Sequence, residues 1–369
     1  MDTSLKPVIA GFIPLLDSAV LVAAAELGFA AREGLALKLV RETSWANIRD
    51  RIAVGHFDVA HMLAPMPIAA SLNVTSMAVP MLAPMLLGLG GNAITVSSDL
   101  WADMFSVGAD TGGDPETTGR ALAEVIHLRR RMGAPLLRFG VVHPFSGHAY
   151  ELRYWLAAAR IDPDRDVEIT VLAPQLMADA LKAGQLDGFC VGEPWNSVAV
   201  AAGTGRIVTY KQAIWPDSPE KVLGVTRTWA ASNPEILAAL MRALSAAADW
   251  CASPDNAQDL SRLLARPDLL ACPSEICAAA LSGEMMFGQN TRKRVPDFLT
   301  FSGGLKAAPM PAHGKWFYEQ MVRWGQVERS AEAVAEIGRI FSPDAYLAAL
   351  GLANVPHAQG MEMFDGARF

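Results

Sequence analysis

The sequence predicts an α/β fold with two lobes, and three observations support this. Short apolar runs alternate with helical segments nearly throughout the chain, a pattern typical of parallel α/β structure. The 369 residues suffice for two compact cores. Hydrophobic residues make up 51% of the chain and charged residues 19%, which is typical of a well-buried globular protein. We expect a discontinuous first lobe, formed by residues 1–93 and 200–369 with a helical C-terminal part, and a second lobe formed by residues 94–199.

Turn and cap residues divide the first lobe into elements. Asp17 is expected to cap a helix that continues to about Arg32 and ends before Gly34. Ser44 can cap a second helix, over residues 45–54. A proline-interrupted segment follows the third strand. The predicted strands cover residues 8–13, 36–40 and 57–62.

The same alternation continues through the second lobe. Pro174 begins a helix, where its missing N–H does no harm, and residues 193–196 open another. Residues 222–229 are predicted to be extended, and beyond Pro234 we expect mostly helix as far as Gly351. The other predicted strands cover residues 92–97, 137–142, 167–172 and 186–191, and the other predicted helices cover residues 115–131 and 148–160.

Composition and motifs exclude several functional classes. The net charge of -7 argues against a broad nucleic-acid-binding face, and the basic runs at 129–131 and 292–294 are short. The four cysteines form no CxxC pair, so we expect buried free thiols. His56 and His61 are a poor metal pair, and we expect each to be exposed or hydrogen-bonded within the fold. The chain has no GxSxG, HExxH or GxGxxG motif, so the sequence indicates no catalytic residue, no metal and no cofactor.

Two apolar stretches resemble export or membrane signals, but both are interrupted. Pro14 and Asp17 interrupt residues 8–25, and residues 1–6 carry no net positive charge. Two prolines break residues 77–89, a stretch that is also too short to span a bilayer. We therefore expect a soluble protein without an export signal.

One part of the first lobe suits a small planar anion. Trp45 follows the predicted helix cap and offers an indole N–H and a flat face. The first-turn amides near Ala46 and Asn47 add backbone donors at the positive end of a helix dipole. An ordinary core tryptophan is the alternative interpretation of Trp45.

Three further side chains could contribute to such a site. Asn92 can donate an amide N–H, although it could instead stabilise the start of a strand. His148 lies in the first turn of a helix, where its ring N–H could reach a ligand, but a surface histidine fits the same pattern. Lys221 is a movable charge beside an apolar strand, and a solvated lysine is the alternative.

The order of several motifs gives these residues a common context. From about residue 11 to residue 324 the chain resembles the nitrate- and bicarbonate-binding proteins related to bacterial nitrate ABC importers. The motifs that carry the resemblance are GFIPLLD at 11–17, SWANIRD at 44–50, AHMLAPMP at 60–67, LRYWLAAA at 152–159, DGFCVGEPWN at 187–196 and PEKVLG at 219–224.

The resemblance implies a two-lobed clamp of the type II periplasmic-binding-protein class, with the ligand in the cleft between the lobes. It implies that Trp45 and the backbone of Asn47 are oxyanion donors of the first lobe. Asn92 matches a position where the importer proteins have the longer amide of Gln, so the anion preference of this chain could differ.

The resemblance also implies a contribution from the second lobe. His148 and the backbone beside Pro174 would complete the donor set, and Lys221 would neutralise the ligand. Bicarbonate has an O–H that needs an acceptor, and Glu193 is the carboxylate that could favour bicarbonate over nitrate.

The lack of a lipoprotein or Tat signal makes the chain look like the cytoplasmic branch of the family, the nitrate/nitrite sensors of the NasS type. Such a sensor holds an RNA-binding antiterminator of the NasT type in check until nitrate arrives. The resemblance thus implies a cytoplasmic, non-enzymatic switch that binds nitrate or nitrite, contacts no nucleic acid directly and needs no membrane.

Three alternatives remain open from the sequence. The first is the nitrate or bicarbonate receptor of an ABC importer that lacks its signal peptide. The second is an enzyme related to the clamp-fold proteins that make the thiamine pyrimidine, but the chain has no cysteine cluster of the kind those enzymes carry. The third is an interaction module that has lost ligand binding.

Overall fold

Two β-sheets with surrounding helices form the framework of the computed structural model, which describes residues 5–353 and 361–369. The strands are β1 (Lys6–Phe12), β2 (Leu35–Arg41), β3 (Val59–Leu63), β4 (Met81–Gly90), β5 (Asn92–Ser97), β6 (Leu137–Val141), β7 (Val167–Val171), β8 (Gly188–Gly192), β9 (Gly205–Tyr210), β10 (Pro219–Thr226), β11 (Glu284–Gly288), β12 (Thr291–Arg294) and β13 (Leu299–Thr300). The helices are α1 (Ala19–Glu26), α2 (Phe29–Arg32), α3 (Trp45–Ala53), α4 (Pro65–Ser71), α5 (Ser98–Ser106), α6 (Pro115–Arg131), α7 (Gly147–Ala158), α8 (Met177–Lys182), α9 (Trp195–Ala201), α10 (Lys211–Ile214), α11 (Arg227–Ser232), α12 (Pro234–Ala252), α13 (Ala257–Leu264), α14 (Ser274–Ser282), α15 (Pro311–Arg323), α16 (Ala331–Ile340) and α17 (Asp344–Leu350). Short 3₁₀ turns cover Leu16–Ser18, Pro174–Leu176, Pro254–Asn256 and Gly304–Ala307.

The first sheet has six strands in the order β13-β4-β10-β3-β1-β2. β1 runs parallel to β2 and β3, and its register places Lys6 opposite Leu35. β10 is antiparallel to both β3 and β4, and β13 pairs antiparallel with β4. β3 is buried at every position, as expected for an apolar strand covered on both faces.

The second sheet has five strands in the order β7-β6-β8-β5-β9. β6 is parallel to β7 and β8, and β5 is antiparallel to β8 and β9. Strand β9 therefore belongs to the second sheet, and the chain returns to the first sheet at β10. This placement differs from the predicted lobe boundary at residue 199, because the apolar pattern of a strand does not reveal which sheet it joins.

Local capping signals account for the start of several helices. Ser44 Oγ accepts a hydrogen bond of 3.2 Å from the N–H of Asn47 at the start of α3, as the sequence predicts. Asp114 and Ser146 cap α6 and α7 in the same way. The bounds of β5 and α6 agree with those predicted. In α6 the cap residue Asp114 lies where the helical pattern of apolar residues begins.

Three local features differ from the sequence predictions, and one segment has a structure for which no prediction was made. Asp17 lies in a 3₁₀ turn with its carboxylate buried and caps no helix. The helix predicted from Asp17 to Arg32 is divided into α1 and α2 at Gly28, which has a φ of 77°. The proline-interrupted segment forms α4, since Pro65 occupies a first-turn position where its missing N–H does no harm. The C-terminal third also contains strands: β11 and β12 pair with each other, and β13 joins the first sheet.

The chain crosses between the two sheets at two places. Gly90 and Gly91 form the first crossing, between β4 and β5, with φ values of 74° and 88°. The N–H of Gly91 donates to the main-chain oxygen of Phe298 at 2.6 Å, and a Cβ atom at Gly90 would overlap that oxygen. This glycine-rich segment is thus required by the backbone of the crossing. Residues 211–218 form the second crossing.

Within the described chain, no single helix combines the length and apolar character needed to cross a bilayer. Helix α12 and the adjoining segment Pro254–Leu264 meet these criteria only as a pair, with a bend of 83° between them.

Replacement of Gly90 by alanine should destabilise the protein strongly. The positive φ alone is unfavourable by about 1–2 kcal/mol for a residue with a Cβ, and overlap with Phe298 adds to this. We expect Gly90→Ala to lower the free energy of unfolding by at least about 2 kcal/mol in denaturant titration. Gly88→Ala is the matched control, because a Cβ there would meet its nearest atom at an ordinary 3.7 Å. Equal effects of the two substitutions would contradict this account.

Candidate functional site

Five buried charged side chains form a continuous chain of contacts between the two sheets. Lys221 Nζ donates to Asp17 Oδ2 at 2.7 Å and to Glu220 Oε1 at 2.9 Å. Lys211 Nζ donates to Glu220 Oε2 at 3.0 Å and also to Glu151 Oε1. None of the five side chains is more than 2% exposed. We call Asp17, Lys221, Glu220, Lys211 and Glu151 the charged cluster.

Elements of both lobes position the charged cluster. Asp17 follows β1, and Glu220 and Lys221 are neighbours on β10, where the pairing with β4 shifts register on both sides of Lys221. This irregularity allows two adjacent residues to reach the same cluster, since a regular strand would direct them to opposite faces. Glu151 comes from α7 of the second lobe, and Lys211 from the second crossing.

The charged cluster contains three carboxylates and two ammonium groups, so it carries one excess negative charge when all five are ionised. Burial alone would raise the pKa of Asp17, but Lys221 and His61 hold it below its usual value. Burial likewise opposes the ionisation of Glu220, but the two lysines hold its pKa far below the usual range. For Glu151 the effect of burial is larger than that of Lys211, and its pKa is raised. Glu151 is therefore the carboxylate of the cluster that protonates most readily.

Several buried polar atoms beside the charged cluster have no hydrogen-bond partner among the described residues. They include Trp45 Nε1, Asn92 Oδ1 and both ring nitrogens of His148 and of His61. His61 Nε2 lies 3.1 Å from Asp17 Oδ1, but neither atom has a well-aligned partner. Buried polar groups are nearly always paired, so this set indicates a place where a bound molecule completes the hydrogen bonds.

Gly192, at the end of β8, marks a small space among these groups. A Cβ atom on Gly192 would lie 3.4 Å from Asn92 Oδ1, 3.4 Å from Asp17 Oδ2 and 3.7 Å from His148 Nε2. The lack of a side chain thus leaves room between atoms of both lobes. Gly147 has a different role, because a Cβ there would overlap Glu220 Oε2.

Four of the predicted site residues are brought together at the charged cluster. Lys221 Nζ lies 5.5 Å from the centre of the Trp45 ring, whose centroid is 5.5 Å from that of His61. Asn92 Nδ2 donates to Glu151 Oε2 at 3.1 Å, and His148 Nε2 lies 3.6 Å from Glu220 Oε1. Lys221 is not the solvated lysine of the alternative interpretation, since its charge is compensated by two carboxylates.

The backbone of Asn47 lies next to Trp45 but is engaged in the helix cap. Its N–H donates to Ser44 Oγ, and its side chain donates to Glu42 Oε2 at 3.0 Å. The two preceding amides of α3, like the other amides in the first turn of a helix, have no intrahelical acceptor. The donor role of Asn47 itself stays a prediction.

Pro174 opens its 3₁₀ turn at a contact between the lobes. Beside it, Gln175 Nε2 donates to the main-chain oxygen of Thr43, which precedes the cap of α3, at 3.0 Å. Glu193 supplies a second contact, because its main-chain oxygen accepts from the N–H of Leu16 at 2.9 Å. The two lobes are therefore held together close to Trp45 and to Asp17.

The carboxylate of Glu193 lies apart from the charged cluster. Its Oε2 accepts from the N–H of Ser197 at 3.2 Å, and its Oε1 has no partner in the described chain. Burial raises the pKa of Glu193 to about 7. The acceptor role in anion selectivity that was predicted for Glu193 stays a prediction.

Sequence reasoning missed most of the charged cluster. Asp17 is predicted to be a helix cap, and no site role is predicted for Glu220, which precedes Lys221 in the PEKVLG motif. Glu151 follows His148 by three residues, a spacing that places both on one face of α7 and could have indicated it. His61 is also buried, and its Nε2 lies 3.1 Å from Asp17 Oδ1.

The chemistry of the site is that of a polar binding pocket. No group of three or more His, Cys, Asp or Glu side chains suited to a metal ion occurs in residues 5–353 and 361–369. The carboxylates contact ammonium groups, and the unpaired atoms include N–H donors as well as oxygen acceptors. Such a set can hold a small polar molecule through hydrogen bonds from both lobes.

Comparison with known proteins identifies the family. Residues 3–265 match the NMT1-like family, and the chain belongs to this family. The nitrate/nitrite binding protein NrtA of Synechococcus elongatus is 31% identical over 380 residues, which cover 99% of this chain and 83% of that protein. The bicarbonate transport ATP-binding protein CmpC of the same organism is 35% identical over 369 residues, which cover 97% of this chain and 52% of CmpC. The chain thus spans about half the length of this second relative.

Solved structures share the architecture. The periplasmic nitrate-binding protein NrtA from Synechocystis superposes with a TM-score of 0.89 at 25% identity, covering 99% of this chain and 95% of that chain. The aliphatic sulphonate-binding protein SsuA from Escherichia coli, at 14% identity and a TM-score of 0.60, shares the fold alone. The predicted two-lobed periplasmic-binding-protein-like fold and the resemblance to nitrate- and bicarbonate-binding proteins are confirmed.

Acid should destabilise the folded protein through His148. Burial lowers the pKa of His148 to about 3 from an ordinary value of 6.5, so the unfolded state binds this proton first as the pH falls. The free energy of unfolding should therefore fall below pH 6.5, by about 1.4 kcal/mol per pH unit from this group alone.

Denaturant titration at pH 7, 6 and 5 measures this dependence. His148→Gln should show a smaller loss of stability between pH 7 and pH 5 than the natural protein. His56→Gln, at an exposed histidine, should leave the loss unchanged. An undiminished loss in His148→Gln would show that other groups govern the acid sensitivity.

Proposed function

We propose that this chain binds a small oxyanion, with nitrate or nitrite as the first ligand to test, in the space between its lobes. One observation carries the proposal: the indole N–H of Trp45 and the ring nitrogens of His148 are buried without partners on opposite lobes. Lys221 Nζ lies 5.5 Å from the centre of the Trp45 ring, and Lys221 and His148 both contact Glu220. N–H groups converging from two sides suit the oxygens of a planar anion.

The energetic requirement can be met by a small number of donors. Micromolar affinity corresponds to about 8 kcal/mol, and each charge-assisted hydrogen bond contributes roughly 1.5–3 kcal/mol before entropy losses. Four or five donors therefore suffice, drawn from Trp45, His148, Lys221 and the first-turn amides of α3. A dianion such as sulfate would be disfavoured, since the charged cluster has no positive charge in excess.

Ligand binding should favour the closed clamp. The donors come from both lobes, so only the closed form can satisfy all of them at once. The contacts of Gln175 with Thr43 and of Glu193 with Leu16 already join the lobes beside this space. A shift from 1:99 to 99:1 in favour of the closed form needs about 5.5 kcal/mol of preferential binding, within reach of two or three cross-lobe hydrogen bonds.

The finer proposal is that closure is a signal. In this proposal the protein is a cytoplasmic nitrate/nitrite sensor, and its closed form releases an RNA-binding antiterminator partner. The second candidate is a nitrate or bicarbonate receptor of an ABC importer, and the relatives that are named as nitrate-binding or bicarbonate-transport proteins favour it. Both candidates use the same anion site and differ in compartment and partner.

Removal of the indole N–H should weaken nitrate binding. Trp45→Phe keeps an aromatic ring and deletes the donor, so we expect the Kd in calorimetric titration to rise between tenfold and a hundredfold. Trp250→Phe in α12 is the matched control and should bind nitrate normally. Absence of nitrate, nitrite and bicarbonate binding in the natural protein would refute the proposed function.

A partner captured from the native cell distinguishes the two candidates. The sensor should copurify from the cytoplasmic fraction with an RNA-binding protein, and nitrate should release it. Because the coupling is reciprocal, the bound partner should weaken nitrate binding by the same factor by which nitrate weakens partner binding. Copurification with transporter subunits from the cell envelope would instead establish the receptor.

A further inference from the structure

We propose that Glu151 takes up a proton when the anion binds, and that the protonated carboxyl group turns the amide of Asn92 so that its N–H faces the anion. Glu151 is thus a positioning residue that acts through Asn92. This inference rests on the proposed anion-binding function and specifies how the site becomes suited to an anion.

The first argument is the charge of the site. Asp17, Glu220 and Glu151 oppose only two ammonium groups, those of Lys211 and Lys221. A monoanion would therefore enter a buried site that already carries one negative charge when all five groups are ionised. Uptake of one proton compensates the incoming charge, and the net charge of the site stays the same.

The second argument is the orientation of the Asn92 amide. An ionised carboxylate only accepts hydrogen bonds, so Asn92 must direct its Nδ2 at Glu151 Oε2, 3.1 Å away. Its Oδ1 is then left without a partner in the described chain, beside His148 Nε2 and Asp17 Oδ2 in the space at Gly192. An acceptor at this position repels an anion that has no hydrogen to donate.

Protonation of Glu151 reverses this arrangement. The carboxyl group gains an O–H, which can donate to Asn92 Oδ1 once the amide has turned by 180° about its terminal bond. Asn92 Nδ2 then faces the space at Gly192 and becomes a donor. The step breaks one N–H···O hydrogen bond, forms one O–H···O hydrogen bond, and takes its proton from solvent.

The groups that face Glu151 make it the acceptor of this proton. They are Lys211 from α10, Glu220 from β10, Asn92 from β5 and Cys190 from β8. Glu220 contacts both lysines, whereas Glu151 contacts only Lys211. Burial raises the pKa of Glu151.

The other neighbouring groups hold their protonation states more firmly. Burial lowers the pKa of His148, on the same helix as Glu151, to about 3, so this ring stays neutral. Burial also raises the pKa of the Cys190 thiol, which has no proton to accept.

Calorimetry with nitrate tests the proposal, because nitrate is the anion of a strong acid and cannot take up the proton itself. Titrations at pH 6, 7, 8 and 9, each in two amine buffers of different ionisation enthalpy, give the number of protons taken up. We expect up to one proton per nitrate, with Kd rising as much as tenfold per pH unit above the pKa of Glu151 in the free protein. Constant affinity and zero proton uptake across this range would overturn the proposal.

Two matched variants show which side chain takes up the proton. Glu151→Gln mimics the protonated acid, since its amide can donate to Asn92 Oδ1. Nitrate binding by this variant should therefore be independent of pH, and its binding enthalpy should be the same in both buffers. Glu336→Gln removes a carboxylate of α16 that contacts Arg227 and Arg339 and takes no part in the site, so this variant should retain full proton uptake.

The outcomes separate this inference from the proposed function. Proton uptake retained in Glu151→Gln, or lost in Glu336→Gln, would show that Glu151 is not the acceptor. Nitrate binding that is absent at every pH in the natural protein would overturn the proposed function, on which the inference rests. A thermal unfolding transition shows whether each variant is folded. The calorimetric test on the natural protein does not depend on the variants.

Discussion

The burial of three carboxylates against two ammonium groups is the constraint on which the rest of the structure depends. Asp17 and the Glu220–Lys221 pair belong to the first lobe, Glu151 to the second, and Lys211 to the segment that connects them. Removing such charges from water is unfavourable unless each meets its partner, and here every contact except the one between Lys221 and Glu220 joins different elements. The position of one lobe relative to the other is therefore linked to charge compensation within the site.

This linkage also explains the chemistry of the two buried histidines. His61 lies against Asp17, and His148 lies against Glu220. Each carboxylate by itself would favour the protonated, charged form of the neighbouring ring. Full burial dominates and lowers the pKa of both, so neutral rings with unsatisfied nitrogens remain. Neutral imidazole is a donor at one nitrogen and an acceptor at the other, so each ring could bind a ligand group of either kind.

The sequence predicts this fold well where its signals are local and poorly where they are distant. Helix α6 could be predicted because Asp114 caps it and Pro115 begins it, whereas nothing local assigns β9 to the second sheet. The site follows the same division. Trp45 and Lys221 could be found through the order of motifs, but the charged cluster joins residues as far apart as Asp17 and Lys221, 204 positions along the chain. A carboxylate whose partner is that remote has no pattern around it to indicate burial.

In the mechanism proposed above, the orientation of a single amide decides which anion the site would prefer. With Glu151 ionised, Asn92 presents an oxygen to the space at Gly192, and an anion that carries an O–H, such as bicarbonate, can donate to it. With Glu151 protonated, Asn92 presents an N–H, and nitrate gains a donor. On this proposal, anion selectivity depends on the protonation state of the site as much as on its shape.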